Sequence, residues 1–304
     1  MATLREIKGR ISGVKSTEKI TKAMKMVAAA KLRRAQSSLL AARPYSRKLS
    51  DLMRHIAAGA ELDENPFVLQ RPVNAVAIIV VSADRGFCGA FNSNIAKAAI
   101  EHVQRHYPEF LGSGRVKLFT VGRKAFDFFS KRNYGIEGNY SGIFHDLNYS
   151  AAKRVASQVV KGYLDGSYDR VDVIYNEFKS VIHQNLIIDR FLPIPKETLK
   201  ASKQTQSEHE YLRETELGYI YEPDLPSILE SLVPRYLEFQ IWRMLLESNA
   251  AGEGARMAAM DSASENASEL ISTLSLQYNK ARQAAITKEL LEVVSGAEAL
   301  TAAG

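Results

Sequence analysis

The sequence predicts an α/β fold combined with a long antiparallel coiled coil. Three observations indicate this: a proline-free helical pattern near the start, short β-branched runs alternating with helical patterns in the middle, and a second long helical pattern at the end. We expect the N- and C-terminal helices to form a projecting shaft, and the middle to form a Rossmann-like, mainly parallel sheet covered by helices. The expected divisions are 1–58 for the N-terminal shaft helix, 71–195 for the α/β domain, 196–224 for a loop or foot region and 225–304 for the C-terminal shaft helix.

The N-terminal segment is predicted to form one strand of the coiled coil. Its apolar side chains recur at three- and four-residue intervals, which is the spacing of a heptad seam. The first phase of this pattern comprises Leu4, Ile7, Ile11 and Val14, and the second comprises Ile20, Ala23, Val27 and Ala30. We expect the helix to reach about Ala42, to be kinked or ended by Pro44, and to resume over residues 45–58.

The middle of the chain changes from helical periodicity to alternating strands and helices. Its β-branched runs are 73–81, 116–121, 171–178 and 181–191, and its helical patterns are 93–106, 123–131 and 151–164. This alternation predicts βαβ units with parallel strands. The charged segment 196–217 is predicted to be a loop or insertion.

A second long helix is predicted after the cluster Pro223-Asp224-Leu225-Pro226, which is typical of a helix start. Residues 229–294 are helix-compatible apart from Pro234. About sixty residues at about 1.5 Å each extend roughly 90 Å, so we expect this helix to project and to pair with the N-terminal one. Its segment 249–268, NAAGEGARMAAMDSASENAS, has twelve Gly, Ala or Ser among twenty residues. Such small side chains let two helix backbones approach closely.

The composition indicates a soluble globular protein without a membrane span. The chain has 304 residues, of which 46% are hydrophobic, and no apolar run reaches the length that crosses a bilayer. Its first residues lack the layout of a secretory signal. The single cysteine, Cys88, excludes an internal disulfide and argues against a thiolate metal site. We therefore expect a cytoplasmic-side location.

Charge is distributed unevenly between the two ends of the chain. Residues 1–50 carry thirteen Lys or Arg against two Glu, a net +11, whereas residues 245–304 carry four against eight acids, a net −4. The two ends should therefore attract each other, and the remaining positive charge indicates an acidic partner. Apolar rather than aromatic residues lie between the basic ones, so an acidic protein partner is favoured over nucleic acid.

Three parts of the chain contain residues that could bind a ligand or react, but for each of them a purely structural role is the better interpretation. The turn 84–92, DRGFCGAFN, lacks the phosphate-loop motif GxxxxGK[ST] and the third glycine of the dinucleotide motif GxGxxG. We therefore expect that this turn does not bind a nucleotide directly. Instead we expect a tight turn in which Asp84 and Arg85 hold neighbouring backbone. Cys88 is interpreted as a small buried side chain. His102 and His106 have the spacing of a helical metal site, but a third ligand is missing and Arg105 favours a solvated face. We expect no cofactor.

Three motifs together resemble the gamma subunit of the rotary F-type ATP synthase. They are SADRGFCGAFNSN after the first predicted strand, KITKAMKMVAAAKLRRAQ on the first helix, and ARMAAMDSASENASELISTLSLQYNKARQAAITKELLEVVSGAEAL at the end. The resemblance covers nearly the whole chain. The departures are Ala83, where the family more often has a small hydroxyl residue, and the segment 196–217. The two-cysteine insertion of chloroplast gamma subunits is also missing.

The resemblance implies a central-stalk rotor that is not itself an enzyme. Such a rotor couples proton flow through a membrane c ring to ATP synthesis or hydrolysis at the beta subunits of a ring of three alpha and three beta subunits. The implied location is peripheral, on the cytoplasmic face of the bacterial inner membrane. By motif, the implied contacts with the alpha/beta ring are Met24, Lys25, Arg256, Gln283 and Thr287. The implied contacts with the c ring and the epsilon subunit are Tyr219, Tyr221 and Glu222.

Two other functions stay open from the residues alone. One is a free-standing enzyme that holds a ligand at the strand ends, although no catalytic grouping is recognisable. The other is a basic coiled-coil adaptor for nucleic acid. Retention by an acidic alpha/beta assembly, but not by DNA at moderate salt, would separate the rotor from this adaptor.

Overall fold

The computed structural model describes residues 3–59, 65–132, 134–199, 222 and 224–302. The chain divides into two compact units. Unit 1 comprises Met1–Ala28 and Met257–Gly304, and unit 2 comprises Ala29–Arg256. Two long helices, α1 (Leu4–Gly59) and α6 (Leu225–Ala302), contribute residues to both units. The domain limits expected from the sequence stay predictions.

Helix α1 begins with a reciprocal cap and continues through its proline. The Thr3 N–H donates to Glu6 Oε2 at 2.9 Å and the Glu6 N–H donates to Thr3 Oγ1 at 3.3 Å, which satisfies two of the free donors at the helix start. The helix includes Pro44 and ends at Gly59, so an end at Pro44 is wrong. Pro44 has no N–H, and the helix therefore loses one backbone hydrogen bond there without stopping.

Helix α6 begins where the sequence predicted a helix start. The Ser227 N–H donates to Asp224 Oδ1 at 2.8 Å, which caps the first turn. The helix has 78 residues and includes Pro234 near its beginning. At about 1.5 Å per residue its axis is about 117 Å long.

Unit 2 contains a five-stranded sheet in the order β3-β2-β1-β4-β5. The strands are β1 (Val76–Val81), β2 (Val116–Val121), β3 (Gly135–Tyr140), β4 (Arg170–Phe178) and β5 (Gln184–Leu192). Strands β3, β2, β1 and β4 are parallel, and β5 is antiparallel to β4. The predicted mainly parallel, helix-covered sheet is confirmed, although β3 was not among the predicted strands.

Helices cover both faces of this sheet. They are α2 (Phe91–His106), α3 (Arg123–Phe129) and α4 (Tyr149–Leu164). Side chains from alternate positions of β1 enter two separate buried clusters, one with α4 and the unit 2 parts of α1 and α6, the other with α2 and α3. A short helix, α5 (Lys196–Leu199), starts the segment predicted as a loop, and residues 200–217 lie outside the described residues. No helix in the described ranges is long and apolar enough to cross a membrane.

Two glycines of α6 differ in how closely unit 2 packs against them. A Cβ on Gly252 would lie 3.5 Å from Phe91 Cζ, an ordinary contact, whereas a Cβ on Gly254 would lie 3.3 Å from Phe178 Cε2. We expect Gly252→Ala to raise the free energy of unfolding of unit 2 by about 0.5–1 kcal/mol, because alanine restricts the unfolded chain and favours helix. Urea unfolding followed by Trp242 fluorescence measures this change. Gly254→Ala should gain less, and a loss of stability in Gly252→Ala would contradict the prediction.

Candidate partner-contact sites

Two polar contacts join α1 and α6 within unit 1. Lys25 Nζ lies 2.5 Å from Asp261 Oδ1, and the Ser264 hydroxyl lies 2.7 Å from the Thr21 hydroxyl. A step from Thr21 to Lys25 along α1 therefore corresponds to a step from Ser264 back to Asp261 along α6. The two helices run antiparallel in this unit, as predicted.

The buried side chains of unit 1 are few and mostly small. Among the described residues they are Ile7, Thr21, Ala28, Met260, Ser264, Ala267 and Leu274. Four of these seven are Ala, Ser or Thr, so little apolar area is buried per turn. The seam is therefore narrow, as the composition of 249–268 indicated.

Most of the residues implied to contact the ring are accessible in unit 1. Met24 and Lys25 are half-buried on α1, whereas Gln283 and Thr287 are exposed one turn apart on α6. The Thr287 hydroxyl donates to the backbone carbonyl of Gln283 at 3.0 Å. Lys25 and Asp261 keep 40% and 45% of their side-chain surface exposed, so their ion pair is a solvent-facing one.

The last part of α6 exposes large apolar side chains. They are Ile286, Leu290, Leu291, Val293 and Val294, and their exposed fractions run from 49% to 70%. A concentration of exposed apolar side chains on one helical segment is typical of a surface that binds another protein.

Arg256, also implied to contact the ring, is engaged inside unit 2. Its guanidinium forms an ion pair with Glu253 at 2.6 Å and donates to the carbonyls of Gly86 and Arg85 at 3.2 and 3.3 Å. Only 12% of the Arg256 side chain and 13% of the Glu253 side chain are exposed. Arg256 thus holds the turn after β1 against α6.

That turn is built by side chains that bind backbone, as predicted. The Asp84 carboxylate accepts N–H groups from Arg123, Gly142 and Phe144 at 2.9, 2.7 and 2.9 Å. The expectation that Asp84 holds neighbouring backbone is confirmed. Arg85 contributes its carbonyl, which accepts from the Arg256 guanidinium and from the Cys88 thiol. Phe87, at φ 60°, is 72% exposed at the tip of the turn.

Cys88 of the same turn is buried, which confirms its interpretation as a small core side chain. Asn92 Nδ2 donates to its Sγ at 3.1 Å, and Asn92 Oδ1 accepts the Ala83 N–H at 2.9 Å. Burial raises the pKa of the Cys88 thiol, against the opposing effect of the Arg256 charge. The thiol is therefore held in its neutral, weakly nucleophilic form.

A buried polar cluster in unit 2 was not expected from the sequence. Asp172, 1% exposed, accepts from His102 Nε2 at 2.8 Å, from the Tyr107 hydroxyl at 2.6 Å and from Arg170 Nε at 3.0 Å. The solvated face predicted for His102 is wrong, because that side chain is buried against a strand carboxylate; His106 is exposed. No periodicity in the sequence connects His102 on α2 with Asp172 on β4.

This cluster makes the stability of unit 2 sensitive to acid. Burial by itself acts to raise the pKa of Asp172, but hydrogen bonds from His102 and Tyr107 and the charge of Arg170 hold it below its ordinary value. Since the pKa is lower in the folded than in the unfolded chain, the stabilisation is complete above about pH 4 and is lost as pH falls through the folded value.

We therefore expect the free energy of unfolding, measured in urea from pH 7 to pH 2, to fall in this acidic range. The Asp172→Ala chain should show a shallower fall, because it lacks the carboxyl that takes up the proton. Equal pH slopes in both chains would contradict this assignment.

Comparison with known proteins shows the family of the chain. The family model described as "ATP synthase" matches residues 3–300. A protein named "ATP synthase gamma chain" from Chloroherpeton thalassium is 50% identical over 305 residues, with 99% of each chain covered. One of the same name from Salinibacter ruber is 44% identical over 309 residues, with both chains covered completely. The chain belongs to the ATP synthase gamma-chain family. A gamma chain is the central-stalk rotor subunit of the F1 complex. The family resemblance predicted from the three sequence motifs is therefore confirmed.

Solved structures share the fold at lower identity. A chain of the Euglena gracilis mitochondrial ATP synthase, in a structure of its OSCP, F1 and c ring, has a TM-score of 0.62 at 20% identity, covering 98% of this chain and 95% of that one. A chain of the central stalk and c ring structure from Tetrahymena thermophila has a TM-score of 0.56 at 24% identity, covering 81% and 99%. The gamma-chain fold therefore extends over almost the whole sequence, and it belongs to a peripheral subunit of the ATP synthase complex.

Of the residues implied to contact the c ring and the epsilon subunit, one can be placed. Glu222 is exposed just before α6, whereas Tyr219 and Tyr221 lie outside the described residues.

Proposed function

We propose that this gamma chain has no catalytic role of its own and acts by binding unequally to the conformations of its partners. Three alpha and three beta subunits would surround unit 1, and the c ring and the epsilon subunit would bind near Tyr219, Tyr221 and Glu222. The complex would lie at the cytoplasmic face of the bacterial inner membrane, driven by proton flow. A rotor that binds one beta conformation more tightly than another shifts their populations as it turns.

The observation that carries this proposal is the surface of unit 1. Two antiparallel helices bury a narrow seam of small side chains while large apolar side chains stay exposed on both helices. On α1 these are Ile20, Met26 and Val27, and on α6 they are Leu270, Leu276 and the group from Ile286 to Val294. Such a surface needs a surrounding partner to cover it.

The proposed contacts with the alpha/beta ring are Met24, Lys25, Gln283 and Thr287, with Arg256 acting through the turn that it holds. Cationic residues on α1 fit acidic loops of the beta subunits. A rotor contact has to break at every step, which suits exposed ion pairs worth about 0.2–1 kcal/mol. The partial exposure of Lys25 is consistent with such a contact.

Reconstitution tests the proposal. The chain is mixed with purified alpha and beta subunits, and the complexes are weighed by native mass spectrometry and assayed for ATPase activity. We expect complexes with three alpha, three beta and one gamma chain whose ATPase activity depends on the gamma chain. Separate alpha/beta rings with no bound gamma chain would contradict the proposal.

A pair of lysines on α1 provides a matched comparison for the ring contact. Lys25→Gln should change the ATPase rate of the reconstituted complex by up to about five-fold, the equivalent of one exposed charge contact. Lys22→Gln is the control, because Lys22 pairs with Glu18 of its own helix at 2.6 Å and is 60% exposed. Equal effects of the two replacements would count against a specific contact at Lys25.

A further inference from the structure

Lys25 has its counter-ion on the other helix of unit 1. Its ammonium lies 2.5 Å from Asp261 Oδ1 of α6, and within the described part of unit 1 no other ion pair joins the two helices. The neighbouring Lys22 instead pairs with Glu18 of α1 itself, at 2.6 Å. Asp261 therefore already binds a cation that we propose as a contact with the alpha/beta ring.

The pair of Lys25 and Asp261 is open to solvent, so a partner can reach both of its members. Their side chains keep 40% and 45% of their surface exposed. An ammonium has three N–H donors, so Lys25 can bind a second carboxylate while it is still paired with Asp261. An approaching acidic loop can thus either displace Asp261 or join it on the same ammonium.

Asp261 lowers the affinity of Lys25 for an acidic partner by either route. If the partner carboxylate displaces Asp261, binding has to break an existing ion pair. If the partner carboxylate joins Asp261, two negative charges are held close together and repel each other. The direction of the effect is therefore the same in both cases.

We propose that Asp261 is a positioning residue that acts through Lys25, as an internal competitor that keeps the contact between Lys25 and an acidic loop of the ring weak. This inference rests on the function proposed above, in which rotor contacts form and break at every step. Because the pair is exposed, the competition should change the affinity of the contact by about two- to five-fold. Salt screens exposed charges, so the competition should fade at high ionic strength.

Competition between gamma chains for a limiting amount of alpha/beta ring measures this effect. Equal amounts of nitrogen-15-labelled unmodified chain and unlabelled Asp261→Asn chain are mixed with the ring at about 0.05 M KCl, where screening is weak. Mass spectrometry then gives the ratio of the two gamma chains in the complexes once that ratio is constant. We expect Asp261→Asn to be enriched about two- to five-fold. Asp261→Glu keeps the carboxylate, and we expect no enrichment of this chain.

Glu265 provides the matched control for the loss of a negative charge. It lies one turn along α6 from Asp261, is exposed, and makes no ion pair with any residue that the structure describes. Glu265→Gln therefore reports the general effect of removing one negative charge from this face of the helix.

The enrichment of Asp261→Asn should exceed that of Glu265→Gln. When both competing chains carry Lys25→Gln, the effect of Asp261→Asn should fall to the level of Glu265→Gln, because the cation for which Asp261 competes is gone. At about 0.5 M KCl the enrichment should approach one. An enrichment no larger than that of Glu265→Gln, or one that persists with Lys25→Gln, would overturn the proposal.

ATP turnover provides a second measurement on the same complexes. At low salt the Asp261→Asn complex should hydrolyse ATP about two-fold or more slowly than the Asp261→Glu complex, because the tighter contact at Lys25 breaks less readily. The difference should close at about 0.5 M KCl. Equal rates at low salt would overturn the part of Asp261 in turnover. Failure of the unmodified chain to enter complexes would instead count against the proposed function.

Discussion

Asp172→Ala is expected to lower the free energy of unfolding of unit 2 by about 3–5 kcal/mol, the usual cost of removing one partner from a buried ion pair. The replacement leaves His102, the Tyr107 hydroxyl and Arg170 without the acceptor that they share. Burial and the Asp172 charge together raise the pKa of Tyr107, so its hydroxyl stays protonated and cannot take over as an anion. Urea unfolding monitored by Trp242 fluorescence measures the loss.

An exposed aspartate provides the control for Asp172. Asp127 Oδ2 lies 3.9 Å from Arg123 Nε, and 42% of the Asp127 side-chain surface is exposed. Asp127→Ala should therefore lower the free energy of unfolding by only about 0–1 kcal/mol. A similar small loss in Asp172→Ala would mean that the cluster contributes little to stability.

Gly122→Ala is expected to cost about 3–5 kcal/mol, from a steric clash and an unfavourable backbone angle together. Gly122 has φ 89°, and a Cβ there would lie 2.2 Å from the Ser82 carbonyl oxygen. That oxygen belongs to the backbone at the end of β1, so a side-chain movement cannot relieve the overlap. The same unfolding assay in urea reports the change.

Gly142 separates the two causes. It has a similar φ of 86°, but a Cβ there would meet no atom within 4 Å. Gly142→Ala should therefore show only the backbone strain, about 1–2 kcal/mol. If both alanine chains lose the same stability, the close approach to Ser82 is not what requires glycine at position 122.

The elements with strong periodicity were the ones that the sequence predicted well. Strand β2 has the predicted limits, and β1 and β4 end where expected. Strands buried on both faces of a parallel sheet read as nearly continuous apolar runs, and such runs are easy to recognise in the sequence. Strand β3, with the sequence GIEGNY, carries two glycines and few β-formers. It is a strand because it pairs with β2, which is a tertiary effect that local propensity cannot show.

The contacts of unit 1 could be predicted from the sequence, whereas the polar contacts of unit 2 could not. The antiparallel helix pair followed from heptad spacing, opposite charges and small residues, all of which can be read along the chain. The cluster around Asp172 could not be predicted, since it joins α2 to β4 across about seventy residues and each of its members looks ordinary in its local context. The internal engagement of Arg256 was hidden for the same reason, because its acceptors are carbonyls of a distant turn.

Direct observation of rotation tests the central claim that this gamma chain turns inside its partners. A Cys88→Ala chain with Ile182→Cys, an exposed position of unit 2, carries a probe while the alpha/beta ring is fixed to a surface. On addition of ATP, the probe should turn continuously in one direction. A stationary probe on complexes that hydrolyse ATP at the normal rate would contradict the account.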